Sequence, residues 1–416
     1  MRKENVVKLV LGVDGGGSKV VCLLANERGE LLGSGEGGPV NTNYVLFQEA
    51  SDSLCRAINT ALQVGRLRGE QIDATVVSAP INPATLKAAM RSLQIENVIK
   101  AAEGETPRWA AHFWIDQRIG VTVGAGTGSL SRGWTGDGRE CGAGGFGVTL
   151  GDEGSGLWIS MKSIIAVIQA HDGRLEETRL TRPVLDHFGA PNIQALALRE
   201  PGGFISKAKM IEMVETQEQT HFMIDSGIVL EKPSTGGNPV STREEGFALG
   251  GLFFQKLERH EPLTRAEVAG LCPVVVEVAR QGDQTAIRIL REAGVELGRL
   301  AVAVIKRLRM EQETFAIVPF GGVFKAGELI MKSFTETCLA AAPQATIIQP
   351  RFEPVVGAVL IALNEIGVEI DQLRANSPFF MCVQISIKQA GSASYVQNSS
   401  AEIRQICVKV AEKRKT

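Results

Sequence analysis

The chain has 416 residues, of which 44% are hydrophobic and 22% charged, with a formal net charge of −2. This length allows two domains, and a charge so close to zero gives no support for a surface that binds nucleic acid or an anionic membrane. No apolar run approaches the roughly 20 residues that a membrane helix needs. We therefore expect neither nucleic acid nor a membrane among the partners.

The N-terminus and the cysteines indicate the compartment. The N-terminus is basic, but Lys8 interrupts the apolar stretch and a glycine turn follows directly, so we interpret this segment as a first strand and not as a signal peptide. The seven cysteines are scattered, odd in number and never spaced as C-x-x-C. Reduced thiols in a cytoplasmic protein are the simplest interpretation.

The first glycine turn follows an apolar strand and leads into a second one, Val20–Ala25. The turn reads Asp14-Gly15-Gly16-Gly17-Ser18-Lys19. Its tip is nearly bare backbone, so amide N–H groups can approach an anionic oxygen with no side chain in the way. Asp14 at its base can hold a hydrated Mg²⁺. An ordinary hairpin turn is the alternative.

Helices and strands alternate in the next part of the chain. We expect a helix over about 45–64, a strand over 72–78 and a helix that starts near Pro107. The stretch 121–130, VTVGAGTGSL, repeats the pattern of a strand followed by a glycine turn.

Two further glycine turns follow, at Gly151–Gly156 and at Gly321-Gly322. Gly151–Gly156 leads into an apolar helix over about 155–170, two long amphipathic helices are expected within 267–308, and the strand 315–320 ends at Gly321-Gly322. A closing helix is expected over 354–365. Three strand–glycine turns do not fit the single fingerprint of a dinucleotide-binding fold, and a G-x-x-x-x-G-K-[ST] run is absent from the sequence.

In this order the motifs DGGGSK, GTGS, GDEGSG-x-W and GGVF resemble the phosphate-1, phosphate-2 and adenosine motifs of the actin/hexokinase/Hsp70 superfamily. Within it the chain is similar to the BadF/BadG/BcrA/BcrD group, which contains the N-acetylglucosamine kinases. The resemblance covers about 6–205 and 267–367. It implies an α/β fold of two ribonuclease H-like (actin-like ATPase) domains with an interdomain cleft. We expect the domains at 1–133 and 134–370, an insertion at about 216–264 and a poorly ordered tail over 371–416.

The same resemblance implies ATP and Mg²⁺ as cofactors. The turns would hold the ATP phosphates through backbone amides, Asp14 would hold Mg²⁺ largely through water, and the third turn would lie against the adenosine. The residues expected at the nucleotide are Gly15, Gly16, Gly17, Ser18, Lys19, Gly126, Thr127, Gly128, Ser129, Gly321 and Gly322.

Relatives place a sugar-binding asparagine after a glycine run such as Gly37-Gly38, which makes Asn41 the first candidate and Asn43 the second. The alternative is that these residues cap the following helix. By the same resemblance Gly145, Asp152 and Glu153 line the sugar, with Asp152 as a sugar-binding or metal-adjacent carboxylate.

The general base is where the sequence departs from its relatives, which have an aspartate at the start of the helix before the phosphate-2 hairpin. Here the first substitute is Glu105, just ahead of Pro107, and the second is Glu103. A carboxylate at a helix N-terminus stays ionised, and it must come within about 2.6–3.2 Å of the acceptor hydroxyl. The alternative is that both glutamates only provide negative charge at the N-terminus of a helix.

The activity implied is ATP-dependent phosphorylation of a small-molecule sugar, N-acetylglucosamine or glucosamine, at its 6-hydroxyl. A homodimer is compatible with the resemblance. One alternative is an ATPase activator of a CoA-dehydratase or reductase, which would need closely grouped cysteines for an iron–sulfur cluster. The other is a non-catalytic sugar or nucleotide sensor, suggested by the absent aspartate and the polar segment 216–264.

Overall fold

The computed structural model describes residues 7–102, 104–115, 120–198, 263–350, 352–371 and 373. They form ten strands: β1 Leu9–Gly15, β2 Val20–Asn26, β3 Leu31–Gly37, β4 Ala74–Ser78, β5 Val98–Lys100, β6 Gly120–Ala125, β7 Ser129–Trp134, β8 Glu140–Gly144, β9 Ala316–Phe320 and β10 Thr346–Ile347. The α-helices are α1 Phe47–Gly65, α2 Pro83–Ser92, α3 Glu105–Ile115, α4 Gly156–His171, α5 Thr181–His187, α6 Ile193–Leu198, α7 Arg265–Ala269, α8 Cys272–Arg280, α9 Gln284–Leu308, α10 Glu328–Ala341 and α11 Pro354–Glu365. Within these described ranges, no helix combines the length and apolarity needed to cross a membrane.

The strands form two five-stranded sheets with one shared topology. The first has the order β3-β2-β1-β4-β5, and the second, written in the same direction, has the order β8-β7-β6-β9-β10. In the first sheet β1 pairs antiparallel with β2 and parallel with β4. In the second sheet β6 pairs in the same way with β7 and β9. This duplicated mixed sheet confirms the expected α/β fold of two ribonuclease H-like domains.

The division of the chain between the sheets differs from the predicted boundary at 133/134. The β6–β7 hairpin already belongs to the second sheet, because β6 pairs with β9 along Gly120–Gly124. The predicted boundary itself falls within β7, in the β7–β8 hairpin. At the other end, α11 returns to the first sheet, where its Val359 packs in one core with Val10 and Val76.

The stretch expected to form two long amphipathic helices contains three helices, α7, α8 and α9. Gly270 separates α7 from α8, and Gly282 adopts a φ of 90° between α8 and α9. The Asp283 carboxylate then caps α9 by accepting the Ala286 N–H at 2.8 Å. The expected closing helix over 354–365 is confirmed. The insertion expected at about 216–264 falls outside the described residues except for Leu263 and Thr264, and the tail expected over 371–416 lies outside them except for Asp371 and Leu373.

Helix α3 lies between the two sheets. Its Ala110 packs in the core that contains α11 and the first sheet, and its Ala111 packs on Ala316 and Val318 of β9 in the second sheet. The N-terminal turn of α3 is held very close to α11, since a Cβ built on Gly357 would lie 1.7 Å from the Thr106 carbonyl oxygen. A glycine at 357 therefore fixes the position of α3.

We expect Gly357→Ala to destabilise the protein. The added methyl group would overlap the Thr106 carbonyl, so the helices must separate, at a cost of about 1–3 kcal/mol for an overpacked core. This cost outweighs the gain in helix propensity of about 1 kcal/mol from replacing glycine by alanine. Thermal or urea unfolding measures the change. An unfolding free energy equal to or higher than that of the wild type would contradict the close approach of α3 and α11.

Candidate functional site

The first glycine turn connects β1 and β2 and is closed by backbone hydrogen bonds. The Gly16 N–H donates to the Lys19 carbonyl at 2.9 Å, and the Val40 N–H donates to the Gly16 carbonyl at 3.1 Å. Asp14 lies near the end of β1, while Ser18 and Lys19 are exposed at the tip. The turn is thus fixed both to its own hairpin and to the chain that leads to Asn41.

The second glycine turn connects β6 and β7 and meets the first one. The Gly126 N–H donates to the Gly128 carbonyl at 2.9 Å, which closes the turn. The hydroxyl oxygens of Ser18 and Thr127 lie 2.7 Å apart and share a hydrogen bond. Turns that are more than a hundred residues apart in the chain therefore touch at their tips, one from each sheet.

The third turn and a helix N-terminus complete this cluster. Gly321 has a φ of 102°, and a Cβ built on it would lie 2.4 Å from the Ala125 carbonyl oxygen, so the turn after β9 lies directly beside the end of β6. The Gly156 N–H donates to the Gly126 carbonyl at 2.8 Å. The N-terminus of α4, whose backbone dipole favours negative charge, therefore starts at the second turn.

Thr106 is the residue of α3 that bonds to Asp14. Its hydroxyl is 3.4 Å from Asp14 Oδ1 and 3.4 Å from Ser78 Oγ, and the residue is only 1% exposed. The carboxylate of Glu105, the predicted base, instead accepts the Ala102 N–H at 3.1 Å. This contact agrees with the alternative stated above, in which Glu105 only places a negative charge at the start of α3. Glu103 lies outside the described residues.

Asp14 suits a Mg²⁺ ion bound together with phosphates. Mg²⁺ retains several waters and takes one or two carboxylates in addition to phosphate oxygens, so a single carboxylate beside two glycine turns is a sufficient protein ligand if those turns bind phosphates. Among the described residues there is no group of three or more His, Cys, Asp or Glu that could hold a metal by itself. The donor set thus fits a nucleotide-bound ion.

Residues 38–46, which connect β3 to α1 and are called the Asn41 loop, lie next to the turn after β4. The Asn41 side-chain oxygen accepts the Asn43 N–H at 3.1 Å, and Thr42 Oγ1 accepts the Asn82 N–H at 2.8 Å. Helix α1 begins at Phe47 after Leu46, which provides no side-chain cap. The alternative that Asn41 or Asn43 caps α1 is therefore wrong, because the loop makes its own turn before the helix starts.

The three residues predicted to line the sugar all surround Ser129. The Ser129 carbonyl accepts the Gly145 N–H at 2.9 Å, its hydroxyl donates to the Glu153 carbonyl at 2.8 Å, and its N–H donates to Asp152 Oδ1 at 3.2 Å. Asp152 is 3% exposed and its Oδ2 lies 2.9 Å from Nη2 of Arg265. The carboxylate is therefore neutralised inside the protein and is not an open ligand at the surface.

Arg265 and Tyr44 belong to this site, although no sequence pattern indicates either residue. The guanidinium carbon of Arg265 lies 3.9 Å from the centroid of the Tyr44 ring. Burial raises the pKa of the Tyr44 hydroxyl; the Arg265 charge opposes this shift and the Asp152 charge adds to it. The phenol is thus neutral at physiological pH.

The described cysteines do not form a cluster site. Cys22, Cys272 and Cys338 are buried, and burial raises the pKa of the Cys272 and Cys338 thiols to about 12. Within the part of the chain that the structure describes, all the cysteines are free thiols. Cys382 and Cys407 lie outside the described residues.

Comparison of the sequence with known families and proteins gives three results. The profile of the BadF/BadG/BcrA/BcrD ATPase family matches residues 11–362. The N-acetylmuramic acid/N-acetylglucosamine kinase of Clostridium acetobutylicum is 25% identical over 365 residues, with 86% of this chain and 99% of the relative covered. The N-acetyl-D-glucosamine kinase of Dictyostelium discoideum is 23% identical over 376 residues, with 86% and 98% covered.

Among solved structures, one from Chromobacterium violaceum, described as a candidate N-acetylglucosamine kinase, aligns with a TM-score of 0.56. It is 22% identical in sequence, and the alignment covers 86% of this chain and 99% of that one. This likeness supports the fold.

We expect Gly321→Ala to weaken nucleotide binding by at least about tenfold. Its φ of 102° is unfavourable for a side chain, and the Cβ would press on the Ala125 carbonyl, which displaces the third turn from the second. Calorimetric titration with a non-hydrolysable ATP analogue compares this variant with the wild type, and equal affinities would contradict the role of the Gly321 turn.

Proposed function

This chain belongs to the BadF/BadG/BcrA/BcrD ATPase family, and we propose that it is an ATP-dependent kinase that phosphorylates an amino sugar, with the 6-hydroxyl as acceptor. The observation that carries the proposal is the convergence of three side-chain-poor turns and a helix N-terminus on one region between the sheets. The relatives named as kinases of N-acetylglucosamine and N-acetylmuramic acid support the choice of an amino sugar as substrate.

The nucleotide is held by backbone groups in this proposal. Amides of Gly17, Ser18, Thr127 and Gly128 face the phosphates, the N-terminus of α4 adds a favourable dipole, and Gly321-Gly322 borders the adenosine. Asp14 and the phosphates would hold Mg²⁺, which, when bound, neutralises charge on the phosphate oxygens. Lys19 is exposed beside the first turn and adds positive charge near the phosphates.

The acceptor sugar lies between the Asn41 loop and the loop that contains Gly145 and Glu153. Phosphoryl transfer passes through a loose transition state, so alignment of the acceptor hydroxyl and stabilisation of charge supply most of the rate. Asp14, oriented by Thr106, is the carboxylate that we assign to the reacting centre. Glu105 is assigned to the start of α3.

The first test is ADP release with Mg²⁺ and ATP across N-acetylglucosamine, glucosamine, N-acetylmuramic acid and glucose. We expect ADP and sugar phosphate in equal amounts with at least one amino sugar, and phosphorus NMR of the product to show a 6-phosphate. ADP release at the same rate without sugar would contradict the kinase and favour the ATPase activator. Sugar or nucleotide binding without turnover would contradict it and favour the sensor.

The assignment of the carboxylates is tested by two conservative variants. Asp14→Asn keeps the shape but removes the charge, and we expect kcat to fall by at least about a hundredfold, the size of losing one electrostatic contact at a transition state. Glu105→Gln keeps an oxygen that accepts the Ala102 N–H, so we expect kcat within about threefold of the wild type.

The contrary result for Glu105 is also informative. If Glu105→Gln lowers kcat about a hundredfold while its melting temperature stays that of the wild type, then Glu105 is the general base. The assignment from the structure would then be wrong, and the one from the sequence correct. Near-normal kinetics of Asp14→Asn would remove Asp14 from the reacting centre.

A further inference from the structure

One buried ion pair connects the two sides of the proposed active site. Arg265, the first residue of α7, donates from Nη2 to Asp152 Oδ2 at 2.9 Å, and the two side chains are 8% and 4% exposed. The helix start is fixed by a capping box in which the Thr264 hydroxyl accepts the Glu267 N–H and the Glu267 carboxylate accepts the Thr264 N–H. The guanidinium is therefore held by its own helix as well as by its partner.

The Asp152 end of this pair reaches the second glycine turn, which connects β6 and β7 and is called the phosphate-2 turn below. Asp152 Oδ1 accepts the Ser129 N–H, and a Cβ built on Gly128 would lie 2.9 Å from the same oxygen. Because the Asp152 carboxylate holds the Ser129 N–H directly, a shift of this carboxylate would move the backbone at Ser129, where the nucleotide phosphates are proposed to bind.

The Tyr44 end reaches the Asn41 loop. The Tyr44 ring stacks on the guanidinium, and the Tyr44 N–H donates to the Asn41 carbonyl at 3.0 Å. Tyr44 lies between β3 and β4 of the first sheet in the chain, whereas Asp152 and Arg265 follow strands of the second. The contacts thus run without a break from Asn41 through Tyr44, Arg265 and Asp152 to Ser129.

We propose that Arg265 is a positioning residue that couples the amino-sugar site to the nucleotide site, a role that rests on the function proposed above. A sugar that orders the Asn41 loop fixes the Tyr44 ring, the ring fixes the guanidinium, and the guanidinium fixes Asp152 and the phosphate-2 turn. A planar guanidinium can stack on a ring and bond a carboxylate at once, which the point charge of lysine cannot do equally well. Each ligand therefore raises the affinity for the other by the same factor.

The test measures the affinity for a non-hydrolysable ATP analogue by calorimetry, with and without saturating N-acetylglucosamine. For the wild type we expect the sugar to raise the affinity at least about fivefold, the lower end of typical couplings. In Arg265→Met this factor should fall towards one, while the affinity for the analogue alone stays within about threefold. Arg265→Lys should restore part of the factor, because the charge remains but the stacking is weakened.

Two further variants separate coupling from folding. Arg265→Met leaves the buried Asp152 carboxylate unpaired, which is destabilising, so the double variant Arg265→Met/Asp152→Asn removes that charge as well. Tyr44→Leu keeps the ion pair and removes only the ring. Tyr44→Leu should lose the coupling factor while retaining binding of the analogue, and the double variant should lose the factor whatever its affinity for the analogue alone.

Three results would overturn the proposal: a coupling factor near one in the wild type, an unchanged factor in Tyr44→Leu and in the double variant, or equal losses of sugar-free and sugar-bound affinity in all variants. If the wild type neither binds nor phosphorylates any of the four sugars, the proposed function fails and the coupling fails with it. If the wild type phosphorylates an amino sugar and the variants keep the full factor, only the coupling is wrong.

Discussion

The close approach of side-chain-free backbone at the ends of β1, β6 and β9 is the constraint on which the structure depends. The Ser18 and Thr127 hydroxyls share a hydrogen bond that joins the first two turns, and the Gly321 turn lies against Ala125 only because it lacks a Cβ. Each of these turns terminates a central strand of a duplicated sheet. Their meeting creates a region rich in backbone N–H groups, which suits a triphosphate.

Two features outside the turns hold this region together. Helix α3 lies between the sheets, and Gly357 lets α11 approach it closely, which places the Thr106 hydroxyl on Asp14. On the other side the Arg265–Asp152 pair and the Tyr44 ring join the Asn41 loop to Ser129. The first arrangement orients a carboxylate at the proposed reacting centre, and the second links the proposed sugar and nucleotide sites.

The fold and the glycine turns were predictable because their signals are local: an apolar strand, a glycine run and a following apolar segment occupy neighbouring positions. The domain boundary was not, because the pairing of β6 with β9 joins residues nearly two hundred positions apart. Which residue of α3 contacts Asp14 depends on the direction in which the first turn of this helix faces. The sequence alone does not show that the Thr106 hydroxyl contacts Asp14 while the Glu105 carboxylate accepts the Ala102 N–H. Arg265 and Tyr44 had no signal because their contact depends on the tertiary structure of both domains.

The central claim is that turns far apart in the chain bind one nucleotide together. A titration of the ¹⁵N-labelled protein with a non-hydrolysable ATP analogue and Mg²⁺, followed by TROSY NMR, tests this directly. The account predicts that the amides of Gly15–Ser18, Gly126–Ser129 and Gly322 shift together with a single dissociation constant. Shifts confined to one turn, or different constants for different turns, would contradict it.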